Sequence, residues 1–320
     1  MHGYEVLIDV RAVSAVDDGY WTDRHVAAMG TQGRVVVGDA PDGVVDWALA
    51  ELEQLEQCWS RFRPTSELSL LNGGTGGWTA VSSRMLLILT CAADLYRVTQ
   101  GRFDPTILAS LEGAGYDRTF VEVPATLDTA PAYAPAPGFA QIEIDVDEAR
   151  VRIPAGVRLD LGGIGKGMAA DLLARGLIDR GARTALVGLG GDLRARGEPP
   201  PDGEWRIPVE DPLDERATAF VWPLHEDAIV TSSVRVRTWV RAGQRQHHLV
   251  DPATGDSART GVVAVVAAAR DAWWAEGIAK SVVVAGAETG CELARTTDVR
   301  AWIYCDDGTM IDTDAVERPA

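Results

Sequence analysis

Residues 159–177 read LDLGGIGKGMAADLLARGL. A short apolar segment ends at Asp160, four glycines and one lysine follow, and the run continues with the pattern of a helix. Gly162, Gly163, Gly165 and Gly167 leave the backbone free to approach a ligand and to aim amides at it. Lys166 adds a positive charge beside the helix N-terminus, where unbonded N–H groups and the dipole already favour anions. The segment therefore reads as a phosphate cradle, with a tight strand-to-helix turn as the alternative. It is not a Walker loop, because Gly167 follows Lys166 where Ser or Thr would stand. Nor is it a dinucleotide fingerprint, because the G-x-G-x-x-G spacing fails.

Around this segment strands outnumber helices. Residues 4–12 read as a strand, and 26–37 as another, interrupted by Met29-Gly30-Thr31. Val44, Val45, Ala48, Leu49, Leu52 and Leu55 share one face of a helix over 42–57. Ser82 or Ser83 caps a second helix that runs to Gln100 and stops at Gly101. The Pro/Ala-rich stretch 124–138 reads as an exposed loop. Strands are expected near 141–145, 150–153 and 157–161, then the glycine turn and a helix to about residue 181. A buried-type strand, Ala185 to Leu189, ends in Gly190-Gly191-Asp192. Four or five strands fill 205–250, an apolar strand covers 262–268, and a helix covers 271–285. Asp307-Gly308 suggests a closing hairpin. The elements do not alternate one to one, which favours an α+β fold with an antiparallel-rich mixed sheet over a doubly wound one.

Of the 320 residues, 46% are hydrophobic, enough for a sizeable core. The net charge of −17 and the lack of a basic block argue against nucleic acid and against an anionic membrane surface as partners. Cys58, Cys91, Cys291 and Cys305 are scattered and form no C-x-x-C pair, which suits reduced thiols in a cytoplasmic protein. No apolar run is long enough to span a bilayer, and the N-terminus lacks the features of a signal peptide.

Short motifs extend along the chain in one order. They are Met29-Gly30-Thr31, WSRFRPTSELSLLN at 59–72, GRFDPTIL at 101–108, the glycine turn, LVGLGGDL at 186–193, IVTSS at 229–233, HLVDPATG at 248–255, and DAWWAEGIAK from 271. This series resembles the ApbE-like family, the FAD:protein FMN transferases, over about residues 25–290. The resemblance implies one ApbE-like (T-fold-like) domain over 1–320. It implies FAD as substrate and Mg²⁺ as cofactor, with FMN passed through a phosphoester to a Thr or Ser of a partner flavoprotein and AMP released. Two rivals are an FAD pyrophosphatase giving free FMN and AMP, and a non-catalytic FAD-binding protein with an altered metal site.

The resemblance assigns roles residue by residue. Met29 and Phe62 match flavin-contacting positions; each is otherwise a core residue. Arg102, Phe103 and Asp104 match the FAD-contacting segment, where Asp104 is otherwise a turn-forming residue before proline. Gly163, Lys166, Met168 and Leu249 fall on the nucleotide side. The backbone carbonyl of Gly165, at a position where alanine is usual, matches a metal ligand. His248 is the candidate base for an acceptor hydroxyl, with His247 as its neighbour. Asp251 and Thr254 shape a turn.

The pattern breaks at the metal helix. The family carries Asp and Thr four residues apart; here Glu276 and Lys280 hold those positions. Both are catalytic candidates. A protonated ammonium offers three donors and no lone pair, so Lys280 is a doubtful metal ligand. Three readings stay open: an i,i+4 surface pair worth about 0.2–0.5 kcal/mol, a lysine standing in for the cation, or a metal held through Glu276, the Gly165 carbonyl, phosphate oxygens and water.

Overall fold

The computed structural model describes residues 21–200 and 203–314; the expected strand at 4–12 lies outside them. The segment around Met29 is a hairpin. β1 (Trp21–Ala28) and β2 (Thr31–Gly38) pair antiparallel through the two-residue turn Met29-Gly30. Both turn residues have positive φ, 51° and 67°, as the turns that match strand twist require. The expected single interrupted strand is thus two, and Met29 holds a backbone conformation that costs a non-glycine residue roughly 1 kcal/mol.

Helices follow. α1 (Val44–Trp59) buries Val44, Val45, Ala48, Leu52 and Leu55. α2 (Glu67–Asn72) is capped by Ser66, and β3 (Trp78–Ala80) precedes α3 (Ser83–Val98). Ser82 is the α3 cap: its hydroxyl accepts from the Met85 amide at 3.2 Å. After α4 (Leu108–Gly113), most of 124–138 is loop, apart from β4 (Thr126–Leu127). β5 (Glu143–Asp145) and β6 (Arg150–Arg152) pair beside β3.

The strand expected at 157–161 does not form. The side-chain amide of Asn72 takes the place of a neighbouring strand. It donates to the Leu159 carbonyl at 2.9 Å and accepts from the Leu159 amide at 2.7 Å. Those backbone groups are satisfied without a ladder, and the chain turns directly into α5 (Gly165–Asp179).

The remaining strands are β7 (Thr184–Leu189), β8 (Asp192–Gly197), β9 (Trp205–Asp211), β10 (Asp214–Leu224), β11 (Ala228–Ser233), β12 (Thr238–Arg241), β13 (Gln244–His247) and β14 (Val262–Ala269). They are followed by α6 (Ala272–Ala285), α7 (Ala287–Thr296), β15 (Arg300–Cys305) and β16 (Met310–Asp312). The last two form the hairpin expected at Asp307-Gly308.

An eight-stranded sheet in the order β1-β2-β7-β8-β11-β14-β15-β16 organises the molecule, and every pairing in it is antiparallel. The architecture is α+β, as the element pattern predicts. Both faces of the sheet are covered, so its central strands are apolar on both sides. Val35, Val37, Val187 and Val230 pack toward α1, α3, α5 and α6, while Val36, Leu186 and Ile229 pack toward the β9–β10 hairpin. Alternation along each strand sorts the two cores. A register shift between Val262 and Ala264 changes the phase of β14, so that Val263 and Ala264 both join the hairpin side. A third cluster, built on Leu111, Tyr116 and Trp239, lies apart.

Candidate functional site

Two small residues set the helices that carry the site. A Cβ on Gly167 would stand 2.5 Å from the Ala272 carbonyl oxygen, so the start of α5 touches the start of α6 backbone to backbone. A Cβ on Gly277 would stand 2.3 Å from a methyl of Leu95, which brings α6 against α3. Asp171 of α5 fixes the same junction. Its carboxylate accepts from the amides of Ala272 (3.0 Å) and Trp273 (2.9 Å) and pairs with Arg194 at 2.9 Å. This places an anion on the α6 N-terminus, where helix donors otherwise lack partners.

α6 is apolar almost all round; Ala272, Ala275, Ile278, Ala279, Val282 and Val283 are fully buried. Glu276 lies among them at 0% exposure, and a carboxylate there needs partners. It has four. One oxygen, Oε1, accepts from the ammoniums of Lys166 and of Lys280, the latter at 2.9 Å; the other, Oε2, accepts from the Gly167 amide at 2.8 Å. Lys166 Nζ also pairs with Asp192 Oδ2 at 2.7 Å. Gly190 and Gly191 make the two-residue turn between β7 and β8, with φ of 60° and 97°, and so aim Asp192 into this cluster. Two ammoniums and two carboxylates close a neutral set. Burial pushes the Glu276 carboxyl up, but the two ammoniums outweigh it and hold the group at about 2. Burial raises the Asp192 carboxyl, opposed by Lys166, and lowers the Lys280 ammonium despite Glu276.

Above this floor opens a cavity of about 320 Å³. Met29, Phe62, Arg102, Phe103, Asp104, Gly163, Gly165, Lys166, His248, Leu249 and Lys280 all line it. The segments that carry them lie far apart in sequence and meet here. Glu276 sits beneath, and Met168 packs in the core at 3% exposure; neither lines the cavity. Asp104 accepts from the amide (2.8 Å) and hydroxyl (2.7 Å) of Thr106, which caps the short helical turn after Pro105; burial raises its carboxyl. Asp251 builds its turn through the amides of Ala253 and Gly255.

The two histidines face opposite ways, as neighbours in extended chain do. His247 is structural. Its Nε2–H donates to the Ala258 carbonyl at 3.0 Å, and its Nδ1 accepts from the Leu249 amide at 3.3 Å. That pairing requires the neutral ring, and burial lowers its pKa to about 4. His248 is half-buried on the cavity wall, and its Nδ1 has no partner. Burial, then Arg237, Lys280, His247 and Lys166, hold its pKa well below 6.5.

Further residues complete the wall. Arg61 pairs with Asp160 at 2.5 Å, and its guanidinium lies 4.1 Å from the Phe62 ring centre and 4.6 Å from that of Tyr116. Both charges stand inside quoted motifs, but nothing in the sequence joins positions so far apart. Tyr116, Phe120 and Arg237 carry no sequence signal. Among the described residues Arg102 and Arg237 have no carboxylate partner; each hydrogen-bonds only a carbonyl, of Thr99 and Gly30 respectively.

The donors around residues 276–280 do not fit a divalent cation. Mg²⁺ wants about six oxygens in octahedral array. Both oxygens of Glu276 are already engaged, and Lys280 brings hydrogens where lone pairs are needed. Among the described residues no three His, Cys, Asp or Glu side chains converge. The Gly165 position itself has room, since a Cβ there meets nothing within 4 Å.

The ApbE family profile matches residues 29–303. The chain belongs to the ApbE family. It is 30% identical over 263 residues to the FAD:protein FMN transferase of Vibrio cholerae, covering 80% of this chain and 78% of that one. It is 31% identical over 292 residues to that of Treponema pallidum, covering 85% and 81%. The crystal structure of the ApbE protein from Thermotoga maritima superimposes with a TM-score of 0.82 at 25% identity, covering 92% of this chain and 97% of that one. The flavin transferase ApbE from Vibrio cholerae shares the fold, with a TM-score of 0.77 over 92% and 97% of the two chains at 24% identity. Among the described residues no helix is long and apolar enough to cross a membrane.

Proposed function

We propose that this chain, acting as one domain, binds FAD in the cavity and transfers FMN from it to a Ser or Thr hydroxyl of a flavoprotein. The observation that carries the reading is the two-sided cavity. Phe62, Tyr116, Phe120 and Met29 offer an apolar and aromatic wall suited to an isoalloxazine ring. Lys280, Arg102 and Arg237 offer cations suited to a diphosphate. His248, neutral at pH 7, stands on the same wall.

The reaction balances without a redox partner. The acceptor oxygen forms a bond to the FMN-side phosphorus, the bond to the bridging oxygen breaks, and AMP leaves with that oxygen. The hydroxyl proton passes to His248. A depressed pKa keeps the imidazole free to accept it and also makes it a weak base. The nearby cations stabilise charge spreading over the phosphoryl oxygens. The resemblance implies Mg²⁺, but the donors at 276–280 do not fit it, and no step here runs through a metal. A cytoplasmic acceptor agrees with the four free thiols.

The test is incubation with FAD and a protein extract of the chain's own source. Transfer predicts AMP release together with a fluorescent, FMN-bearing protein band that survives denaturation. AMP with free FMN alone would mean a pyrophosphatase. FAD bound and left intact would mean a binding protein.

A further inference from the structure

Lys280 stands where the buried charge cluster meets the cavity. Its ammonium lies 2.9 Å from Glu276, and the side chain lines the cavity while Glu276 does not. The stem passes under Gly163, where an added Cβ would lie 3.6 Å from the Lys280 Cδ and 3.1 Å from Phe103. The glycine turn and α6 together therefore hold the ammonium at the cavity floor.

Charge balance says what this ammonium replaces. With Lys280 present, two ammoniums meet two carboxylates and the floor is neutral. In the empty cavity a divalent cation added there would bring two uncompensated positive charges into a buried site next to two ammoniums, which is strongly unfavourable. With a neutral side chain at 280 the same floor would carry a net negative charge, and a divalent cation would then be attracted. Lysine and metal are alternatives at this position.

We propose that the Lys280 ammonium is the built-in cation for the FAD diphosphate, so that this chain binds FAD and ADP without a divalent metal. Lys280 reaches the diphosphate from the floor, and Arg102 and Arg237 reach it from the walls. The inference rests on the FAD reading above.

The experiment is titration of FAD, ADP and riboflavin into the purified chain, followed by calorimetry, in Mg²⁺ and in EDTA. The expected dissociation constants for FAD and ADP agree between the two buffers within about twofold. Lys280→Met weakens FAD and ADP by about tenfold or more and leaves riboflavin, which has no phosphate, unchanged. Lys280→Thr makes FAD binding respond to Mg²⁺. FAD binding by the unaltered chain that requires Mg²⁺ would overturn the inference and leave the FAD reading standing. No FAD binding in either buffer would overturn both. The buffer comparison needs no substitution, so it decides the matter even if a variant fails to fold.

Discussion

Lys166→Met tests whether the floor is held together by charge balance. In the intact protein one ammonium touches both Asp192 and Glu276, so the two carboxylates lie no more than roughly 5 Å apart. Removing that ammonium leaves two negative charges facing one positive charge in the core. At an effective dielectric near 20, two like charges at about 5 Å repel by about 3 kcal/mol. Removing one partner of a buried pair costs about 3–5 kcal/mol in general. The expected loss is therefore about 3–5 kcal/mol at pH 8, a large share of a domain's stability. The pH dependence has a definite sign. Asp192 already sits above its ordinary value through burial, and Lys166, ahead of Lys280, opposes that. Without Lys166 its folded pKa rises further above the unfolded one. The destabilisation is then largest above the folded pKa and shrinks as pH falls through it. Asp192→Asn in the Lys166→Met background removes one of the repelling charges and recovers most of the loss, although each single change is destabilising. Urea unfolding followed by tryptophan fluorescence at pH 8 and pH 5 measures all four chains. A penalty equal at both pH values, or two single effects that simply add, would refute the reasoning.

The remaining predictions address the scaffold and the two histidines. Gly167→Ala drives a methyl into the Ala272 carbonyl and destabilises by about 1–3 kcal/mol in urea, whereas Gly165→Ala, which meets open space, stays within about 0.5 kcal/mol. Asp171→Ala strips the α6 cap and leaves Arg194 buried without its anion, for a loss of about 3–5 kcal/mol in the same assay. His247 is neutral when folded and takes up a proton on unfolding below pH 6.5. Its contribution is present above that value and fades as pH falls to about 4, by up to about 3 kcal/mol, and His247→Gln flattens that dependence in unfolding curves. His248→Ala lowers FMN transfer by about a hundredfold to ten-thousandfold with FAD affinity nearly kept, and the acid limb of the intact enzyme's rate lies below pH 6.5.

Local signals in the sequence are sufficient for much of the fold. The apolar face of α1, the serine cap of α3 and the hairpin at Asp307-Gly308 each rest on neighbours within a few residues, so periodicity and turn chemistry reveal them. Residues 157–161 show where this stops. Their apolar alternation reads as a strand, yet the partner is the side chain of Asn72, 87 residues away. β14 shows it too: a one-residue shift against β15 moves side chains between two cores, and an all-apolar run contains no mark of the phase.

The site divides along the same line. The motifs reach the cavity because each brings its own wall residue, and Met29, Phe62, Arg102 and His248 lie where four separate segments converge. What each glycine does is not local. Gly163, Gly165 and Gly167 look alike in a phosphate-cradle pattern, yet one lies over Lys280, one opens on the cavity and one is spent against the α6 backbone. The Gly167 amide, which the pattern offers to a ligand phosphate, is held by Glu276. The pair Glu276 and Lys280 illustrates the largest reversal. At i,i+4 on an exposed helix it would be worth about 0.2–0.5 kcal/mol. At 0% exposure of the carboxylate it cannot be decorative, because an unbalanced charge there would cost several kcal/mol. Burial turns a spacing common on helix surfaces into a constraint that ties α6 to α5 and β8, and only the fold supplies the burial.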